Sequence, residues 1–346
     1  MEFLKERWIL GIDTSCDDTS IALVKGGKKV AVNLIASQEQ IHKQYQGVYP
    51  ELAARAHVNA IIPLLEKALK DGGISLEDIG AIAYTKGPGL IGSLLIGIET
   101  AKALALALKK PSIAVNHLEA HLYAAFMEDS PLSFPPLHPM LGFVLSGGHT
   151  CVVKIEQKGK IVLIGNTVDD AIGEAFDKVA ILLGLSYPGG SCIEDLAKEG
   201  DPSRFPFKPA KIKKLPWHFS FSGLKTSVLY AIKELQSAST EMSEQDKKDL
   251  AASFQRAAFA AVADKIEKAV KEGFGQEVVM GGGVCCNQAL RSFLQKKFPQ
   301  IKFYFALPSL CKDNGAMIAG LAYYIYQRQG SSPFCLGPSV VKNCFE

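Results

Sequence analysis

Trp8-Ile9-Leu10-Gly11-Ile12-Asp13-Thr14-Ser15-Cys16-Asp17-Asp18-Thr19-Ser20-Ile21-Ala22-Leu23-Val24 decides the fold: two apolar runs flank a turn of small and acidic residues. Short β-branched runs bounded by such a turn read as strand, turn, strand. The pattern returns far downstream, where Leu141-Gly142-Phe143-Val144-Leu145 leads through Ser146-Gly147-Gly148-His149-Thr150 into Cys151-Val152-Val153-Lys154-Ile155. Two such hairpins imply two related lobes. Gly, Ser and Thr turns expose backbone N–H groups and hydroxyls to phosphate oxygens, although such turns also occur with no ligand.

Between the hairpins the chain alternates β and α, as a wound sheet does. Helical periodicity runs over Ala53 to Lys70 through Ala56, Ala60, Leu64 and Leu65. A strand at Ile79 to Thr85 leads into the glycine-rich turn Lys86 to Ser93. The Leu/Ala-rich helix Leu94 to Leu108 is expected to be largely buried, and a strand follows at Ser112 to Val115. In the second half Glu277-Val278-Val279-Met280 reads as a buried strand. It runs through Gly281-Gly282-Gly283-Val284-Cys285-Cys286-Asn287 into a helix from Gln288 to Phe298. A strand, a glycine turn and a helix N-terminus make a phosphate or nucleotide seat. The contiguous glycines are not a dinucleotide fingerprint, and the Gly-Lys-Ser/Thr ending of a P-loop is missing. Polar Gln236 to Asp249 reads as a loop or a solvated helix start. The expected class is α/β, with duplicated mixed β-sheets flanked by helices.

A chain of 346 residues, 48% hydrophobic, is long enough for two domains with a core each. No run of eighteen apolar residues and no secretory leader stand in the sequence, so no membrane partner and a cytoplasmic location are expected. The eight cysteines lack Cys-x-x-Cys spacing and read as reduced thiols. A net charge of +3 does not announce a nucleic-acid binder. Local basic patches could still do so; the best is Lys208, Lys211, Lys213 and Lys214, in a proline-rich loop before Trp217 and His218, and it reads as a solvated loop or as a phosphate contact.

His117 and His121, in Asn-His-Leu-Glu-Ala-His, are the strongest chemical signal. Spacing of i, i+4 puts both imidazoles on one helix face, where they converge on one cation or sit as two unrelated histidines. In a zinc-protease helix a glutamate follows the first histidine and serves as general base; here that position is Leu118. A metal needs a further ligand. Asp313, in Cys311-Lys312-Asp313-Asn314-Gly315-Ala316, supplies a carboxylate before an apolar helix and reads either as that ligand or as the helix N-cap.

Seven segments occur in order: Gly11 to Asp17, Gly87-Pro88-Gly89, His117-x-x-x-His121, Ser146 to Thr150, Tyr187-Pro188-Gly189-Gly190, Phe219-Ser220-Phe221-Ser222-Gly223-Leu224-Lys225-Thr226, and Asp313 to Ala316. Together they resemble the tRNA threonylcarbamoyladenosine transferase family, TsaD in bacteria, formerly called O-sialoglycoprotein endopeptidase, from about Trp8 to Tyr324. The resemblance implies a two-lobed actin-like ATPase (ASKHA) fold. Residues 1–116 would form an N-terminal lobe completed by a C-terminal helix over 325–346. Residues 117–324 would form the second lobe, with the metal and nucleotide site between the lobes.

The resemblance also implies the reaction: transfer of threonylcarbamoyl from threonylcarbamoyl-adenylate to N6 of the adenosine 3′ of the anticodon in ANN-decoding tRNAs, with release of AMP. His117, His121 and Asp313 would hold one divalent metal per chain, Fe2+ in preference to Zn2+. Val144, Leu145, Ser146, Gly147, Gly148, Asp177, Gly190 and Asn287 would hold the adenylate, with Glu194 as a further contact; Asn287 reads equally as a cap of the helix that follows the glycine turn. The implied partners are tRNA, a TsaB-like fold-mate on an apolar face around Ala53 to Leu69, and a TsaE-like ATPase that brings Mg2+ and ATP. A homodimer is the expected form without the fold-mate. The chain departs from the family pattern at Asp13, Ser191, Glu194, Cys285 and Cys286, so oxidation of the paired cysteines is expected to disturb the seat beside Asn287. The tail from Gly337 to Glu346 is not the basic, proline-containing tail the resemblance leads one to expect: beside Pro338 it carries one lysine and one glutamate.

Three other readings compete. Asp13, Asp17 and Asp18 beside a phosphate turn suit Mg2+ and ATP in a kinase or ATPase of the same fold. A metalloprotease fails on the missing base. A non-catalytic scaffold is the third, and an intact His117, His121 and Asp313 set argues against it.

Overall fold

A computed structural model describes residues 4–238, 242–339 and 345. In chain order it contains β1 (Trp8–Asp13), β2 (Thr19–Lys25), β3 (Lys29–Ala36), α1 (Glu39–Lys43), α2 (Pro50–Gly72), β4 (Ile79–Gly87), α3 (Ile91–Leu108), β5 (Ser112–Asn116) and α4 (His117–Tyr123). There follow β6 (Met140–Leu145), β7 (Thr150–Ile155), β8 (Ile161–Asn166), α5 (Ile172–Leu182), α6 (Gly189–Ala197), α7 (Ser222–Ala238), α8 (Glu244–Lys271), β9 (Glu277–Gly281), α9 (Gln288–Lys297) and β10 (Lys302–Phe305). The chain ends with α10 (Pro308–Cys311) and α11 (Gly315–Gln329).

The chain forms two compact units. In the first, the sheet order is β3-β2-β1-β4-β5, with the β1–β2 and β2–β3 pairs antiparallel and the β1–β4 and β4–β5 pairs parallel. The second unit repeats it as β8-β7-β6-β9-β10, again with an antiparallel meander followed by parallel crossovers. Both hairpins seen in the sequence are therefore the β1–β2 and β6–β7 pairs, with Ile12 opposite Ile21 and Leu145 opposite Thr150.

The domain boundary differs from the expected one. The first unit runs to Pro135 and resumes at Ala306; the second is Pro136–Phe305. The histidine helix and residues 306–324 thus belong with the first sheet, because α11 packs on β1, β2 and β5 and against α4. The returning helix is α11 rather than 325–346. Past it, residues 330–339 form no helix, and most of the tail, 340–344 and 346, lies outside the described residues.

The first core packs Leu10, Ile12, Ile21 and Leu23 against Ile61, Leu65 and Ala68 of α2 and Leu94, Ile98 and Ala101 of α3. The inward stripe of α2 is Ala53, His57, Ile61, Leu65 and Ala68, one position round from the expected Ala56, Ala60 and Leu64, and it carries a histidine. α3 is not largely buried: only Ser93, Leu94, Gly97, Ile98, Ala101 and Ala105 are. By length and composition it is the one helix among the described residues apolar enough to cross a membrane. Its Glu99–Lys102 pair at 3.1 Å and its packed inner stripe are those of a core helix with an apolar outer face. In the second unit, the polar stretch from Gln236 closes α7 and opens α8 through a Ser243–Asp246 capping box; residues 239–241 lie outside the described residues.

Candidate metal centre

Buried β5 delivers the chain to Asn116, whose side chain caps α4 by accepting from the N–H groups of Leu118 at 2.9 Å and Glu119 at 3.2 Å. His117 and His121 then lie on one face with ring centroids 4.5 Å apart, both buried. Leu118 is buried on another side of the helix, so no carboxylate stands where a protease would need one.

Asp313 reaches this face because α11 starts close against the sheet. A Cβ on Gly11 would lie 2.1 Å from the Gly315 carbonyl oxygen, so the β1 glycine is what permits the approach. The Gly315 N–H donates to Ser20 Oγ at 2.8 Å. Asn314, not Asp313, is the N-cap of α11, its side chain accepting from Met317 N–H at 2.9 Å. The carboxylate of Asp313 is left to face α4. Its Oδ1 lies 3.1 Å from His121 Nε2 and 3.5 Å from His117 Nε2, and Ser15 Oγ donates to Oδ2 at 3.4 Å. The three groups offer ligand atoms all within 4.8 Å of one another.

Behind His117, Asp13 is fully buried; its Oδ1 accepts from Thr85 Oγ and the Ser15 N–H, and its Oδ2 lies 3.7 Å from His117 Nδ1. Burial raises the Asp13 carboxyl against the pull of His117. Burial works to lower His117, but Asp313 and Asp13 push it up to about 9. Burial and the charge of His117 lower His121. The two imidazoles outweigh burial at Asp313 and hold it well below the usual carboxylate range.

Among the described residues neither nitrogen of His121, nor Nδ1 of His117, makes a hydrogen bond of good geometry, although His121 Nε2 faces the Asp313 carboxylate. Leaving such groups unsatisfied costs about 1–3 kcal/mol each, a cost that a bound cation would relieve. Two imidazoles and a carboxylate suit iron(II) or zinc. Asp313 remains 27% exposed while both histidines are closed off, which leaves one open side.

The sequence reading missed His57. Its Nε2 donates to the Cys16 carbonyl oxygen at 3.0 Å and its Nδ1 accepts from Thr19 Oγ1 at 2.7 Å, so α2 ties the middle of the β1–β2 turn, beside Ser15, and its exit into β2. Burial lowers its pKa, favouring this neutral form. The only signal was its place in an i, i+4 series with Ala53 and Ile61.

The residues expected to hold the adenylate all lie in the second unit. Val144 and Leu145 end buried β6, while Gly147 and Gly148 are exposed in the following turn. Ser146 and Gly147 carbonyls accept from the N–H groups of Gly173 and Glu174, joining that turn to the start of α5. Asp177 accepts from the Gly189 N–H at 2.7 Å, and a Cβ on Gly190 would meet nothing within 4 Å. Glu194 and Asn287 converge on α9: Glu194 accepts from Gln288 N–H at 2.8 Å, and Asn287 accepts from Leu290 N–H at 2.9 Å while donating to Gln255 at 2.9 Å. Cys285 is fully buried, donates to the Gly281 carbonyl and has its pKa raised by burial, so the expected oxidation sensitivity does not extend to it.

A duplicated meander-and-crossover sheet defines an α/β protein of the actin-like ATPase fold, here with a histidine and carboxylate cluster on its first unit. Residues 29–320 match the TsaD family, tRNA N6-adenosine threonylcarbamoyltransferase, and the chain belongs to that family. It is 51% identical over 330 residues, 94% of each chain, to the tRNA N6-adenosine threonylcarbamoyltransferase of Protochlamydia amoebophila. It is 44% identical over 329 residues, again 94% of each, to the enzyme of that name from Symbiobacterium thermophilum. Its fold is similar to full-length HypF in the phosphate- and nucleotide-bound form (TM-score 0.59, 17% identity), covering 95% of this chain and 58% of that one. Component A of the Acidaminococcus fermentans (R)-2-hydroxyglutaryl-CoA dehydratase is similar over 93% of this chain and 98% of its own (TM-score 0.53, 17% identity).

Proposed function

We propose that this tRNA-modifying transferase moves threonylcarbamoyl from threonylcarbamoyl-adenylate to N6 of the adenosine 3′ of the anticodon in ANN-decoding tRNAs. The N6 lone pair forms a bond to the carbamoyl carbon, the bond from that carbon to the phosphate oxygen breaks, AMP leaves with the electron pair, and the amine proton passes to solvent. An aromatic amine is a weak nucleophile, so holding it against an activated acyl carbon contributes much of the acceleration.

The observation that carries this reading is the convergence of His117, His121 and Asp313 with unpartnered imidazole nitrogens, in a member of this family. These three residues would hold one divalent cation, which we take to be iron(II) rather than zinc. When bound, it supplies Lewis acidity toward phosphate or acyl oxygens. Asp13 backs His117, and Ser15 steadies Asp313. In the second unit, exposed Gly147 and Gly148 and the open Gly190 suit backbone contacts to the adenylate, with Val144, Leu145 and Ser146 shaping the turn. Asp177, Glu194 and Asn287 would act there chiefly by holding α6 and α9 in place.

A TsaB-like fold-mate would dock on the outer faces of α2 and α3, where Val58, Ile62, Ile91 and Leu95 are exposed. A second copy of the chain would cover that face in its absence, and a TsaE-like ATPase would bring Mg2+ and ATP. The reaction belongs to the cytoplasm, where tRNA is made. The test is nucleoside mass spectrometry on unmodified tRNA incubated with threonylcarbamoyl-adenylate, the protein and matched partners. Threonylcarbamoyladenosine should form with the native chain and not with Asp313→Ala. Equal product from a folded Asp313→Ala would remove the metal centre from the reaction, and no product from the native chain beside a working control would leave the scaffold reading.

A further inference from the structure

We propose that the arch between α6 and α7, carrying Lys208, Lys211, Lys213 and Lys214, is a clamp for the phosphate backbone of the tRNA substrate; this rests on the transferase reading above. Residues 206–216, Pro-Phe-Lys-Pro-Ala-Lys-Ile-Lys-Lys-Leu-Pro, contain four lysines, three prolines and no acidic residue. All four lysines are exposed, and none has a carboxylate partner among the described residues. This contrasts with Lys178, Lys198, Lys247, Lys248, Lys268 and Lys297 of the same unit, each of which pairs with a carboxylate.

The arch is fixed at both feet. On the entering side, Arg204 donates to Asp249 at 2.7 Å and to Asp246 at 2.5 Å, and the Phe205 N–H donates to Ser253 Oγ at 3.2 Å. All three acceptors lie on the first half of α8. On the leaving side, Trp217 packs edge-on to Phe274 at 5.4 Å, under Lys268 at 5.1 Å, and its backbone lies so near β8 that a Cβ on Gly165 would be 2.3 Å from the Trp217 carbonyl oxygen. The Phe219 N–H then donates to the Asn166 carbonyl at 2.9 Å.

Arg204, neutralised by two aspartates, anchors the loop, whereas the four lysines of the arch make no ion pair among the described residues. Proline at 206, 209 and 216 restricts the arch further, so little ordering is lost when a ligand arrives. Clustered ammonium groups without ion-pair partners on a stiffened loop suit a polyanion, and the family's polyanionic substrate is tRNA.

The test replaces the four lysines together by alanine and, in parallel, by arginine. Binding of unmodified tRNA is followed by fluorescence anisotropy between 50 and 200 mM salt. Each phosphate contact contributes about 0.7–0.9 to the slope of log affinity against log salt, so the alanine variant should flatten it by about 3 and raise KM for tRNA at least tenfold. The arginine variant should keep the native slope. kcat at saturating tRNA, and calorimetric binding of the adenylate, should stay within about twofold of native. An unchanged slope in a folded alanine variant that still makes threonylcarbamoyladenosine overturns the clamp while leaving the transferase reading intact. A native chain that neither binds nor modifies tRNA overturns the transferase reading itself. Native binding to phosphatidylserine vesicles stronger than to tRNA, lost in the alanine variant, overturns the assignment to RNA.

Discussion

Asn314 takes the capping role that Asp313 would otherwise fill. Its side-chain oxygen accepts from Met317 N–H, and its amide donates to the carbonyls of Leu310 at 3.0 Å and Lys312 at 2.7 Å, so the turn before α11 is locked with Asp313 turned toward α4. Loss of a cap and of buried amide hydrogen bonds costs about 1–3 kcal/mol. Asn314→Ala should lose that much in denaturant unfolding and should also lower metal content measured by mass spectrometry after loading. Asn314→Asp keeps the cap oxygen but not the two donors, so it should fall between. Native metal content in Asn314→Ala would show that Asp313 needs no such support.

Gly11 and Gly315 predict a steric effect. A methyl on Gly11 would collide with the Gly315 carbonyl at 2.1 Å and with Ala319 Cβ at 2.8 Å, both within the packed contact of α11 on β1. Gly11→Ala should cost about 3 kcal/mol or more. Gly337→Ala, where nothing among the described residues lies within 4 Å, should stay within about 0.5 kcal/mol of native. Comparable thermal midpoints for the two variants would contradict the close approach.

Asp18 sets a pH dependence of stability. Burial, then the neighbouring charge of Asp17, raises its pKa from 3.8 to about 6, and its Oδ1 has no hydrogen-bond partner. The folded state then holds a proton that the unfolded state gives up, so between pH 4 and 6 stability falls as pH rises. The full shift corresponds to about 3 kcal/mol, and partial exposure reduces it to about 2. Asp18→Asn should be more stable than native by about that amount at pH 7 and nearly equal to it at pH 4. Parallel stability curves for the two proteins across that window would sink this account.

The outer faces of α2 and α3 give a prediction about assembly. Val58 is 55% exposed and Leu95 40%, so an aspartate at either costs the isolated chain less than about 1 kcal/mol. Placed in an apolar interface, the same charge is expensive to desolvate. Val58→Asp and Leu95→Asp should keep their unfolding midpoint yet lose the complex with a TsaB-like fold-mate in light scattering. Native complex formation by both would move the docking site elsewhere.

Much of this was legible in the residues because local patterns and tertiary structure agree. Both hairpins, the β9 strand with its glycine turn, and the histidine pair were marked by apolar runs, small-residue turns and i, i+4 spacing. What could not be read depended on partners distant in sequence. Whether Asp313 or Asn314 caps α11 is decided by side-chain direction, which spacing does not encode. The role of His57 arises only when α2 meets the β1–β2 turn, and on its own helix it resembles any core position. Asn287 reads from its place after the glycine turn as a nucleoside contact or a helix cap, and it does cap α9, whereas the α9 partner of Glu194 lies too far along the sequence to be foreseen. α3 reads as largely buried because its composition is apolar on both faces, and composition does not say which face the sheet and α2 cover.

The first unit stops at Pro135 and resumes at Ala306, so the histidines and Asp313 come from opposite sides of the inserted second unit. During synthesis the whole of Pro136–Phe305 must leave the ribosome before the third ligand exists. A chain cut short anywhere in that stretch can display His117 and His121 but cannot close the cluster. Capture of a cation there would therefore be a late event, dependent on a contact of very long range. Fragments would stay unloaded, and the cell would meet the assembled centre only on protein translated beyond the start of α11.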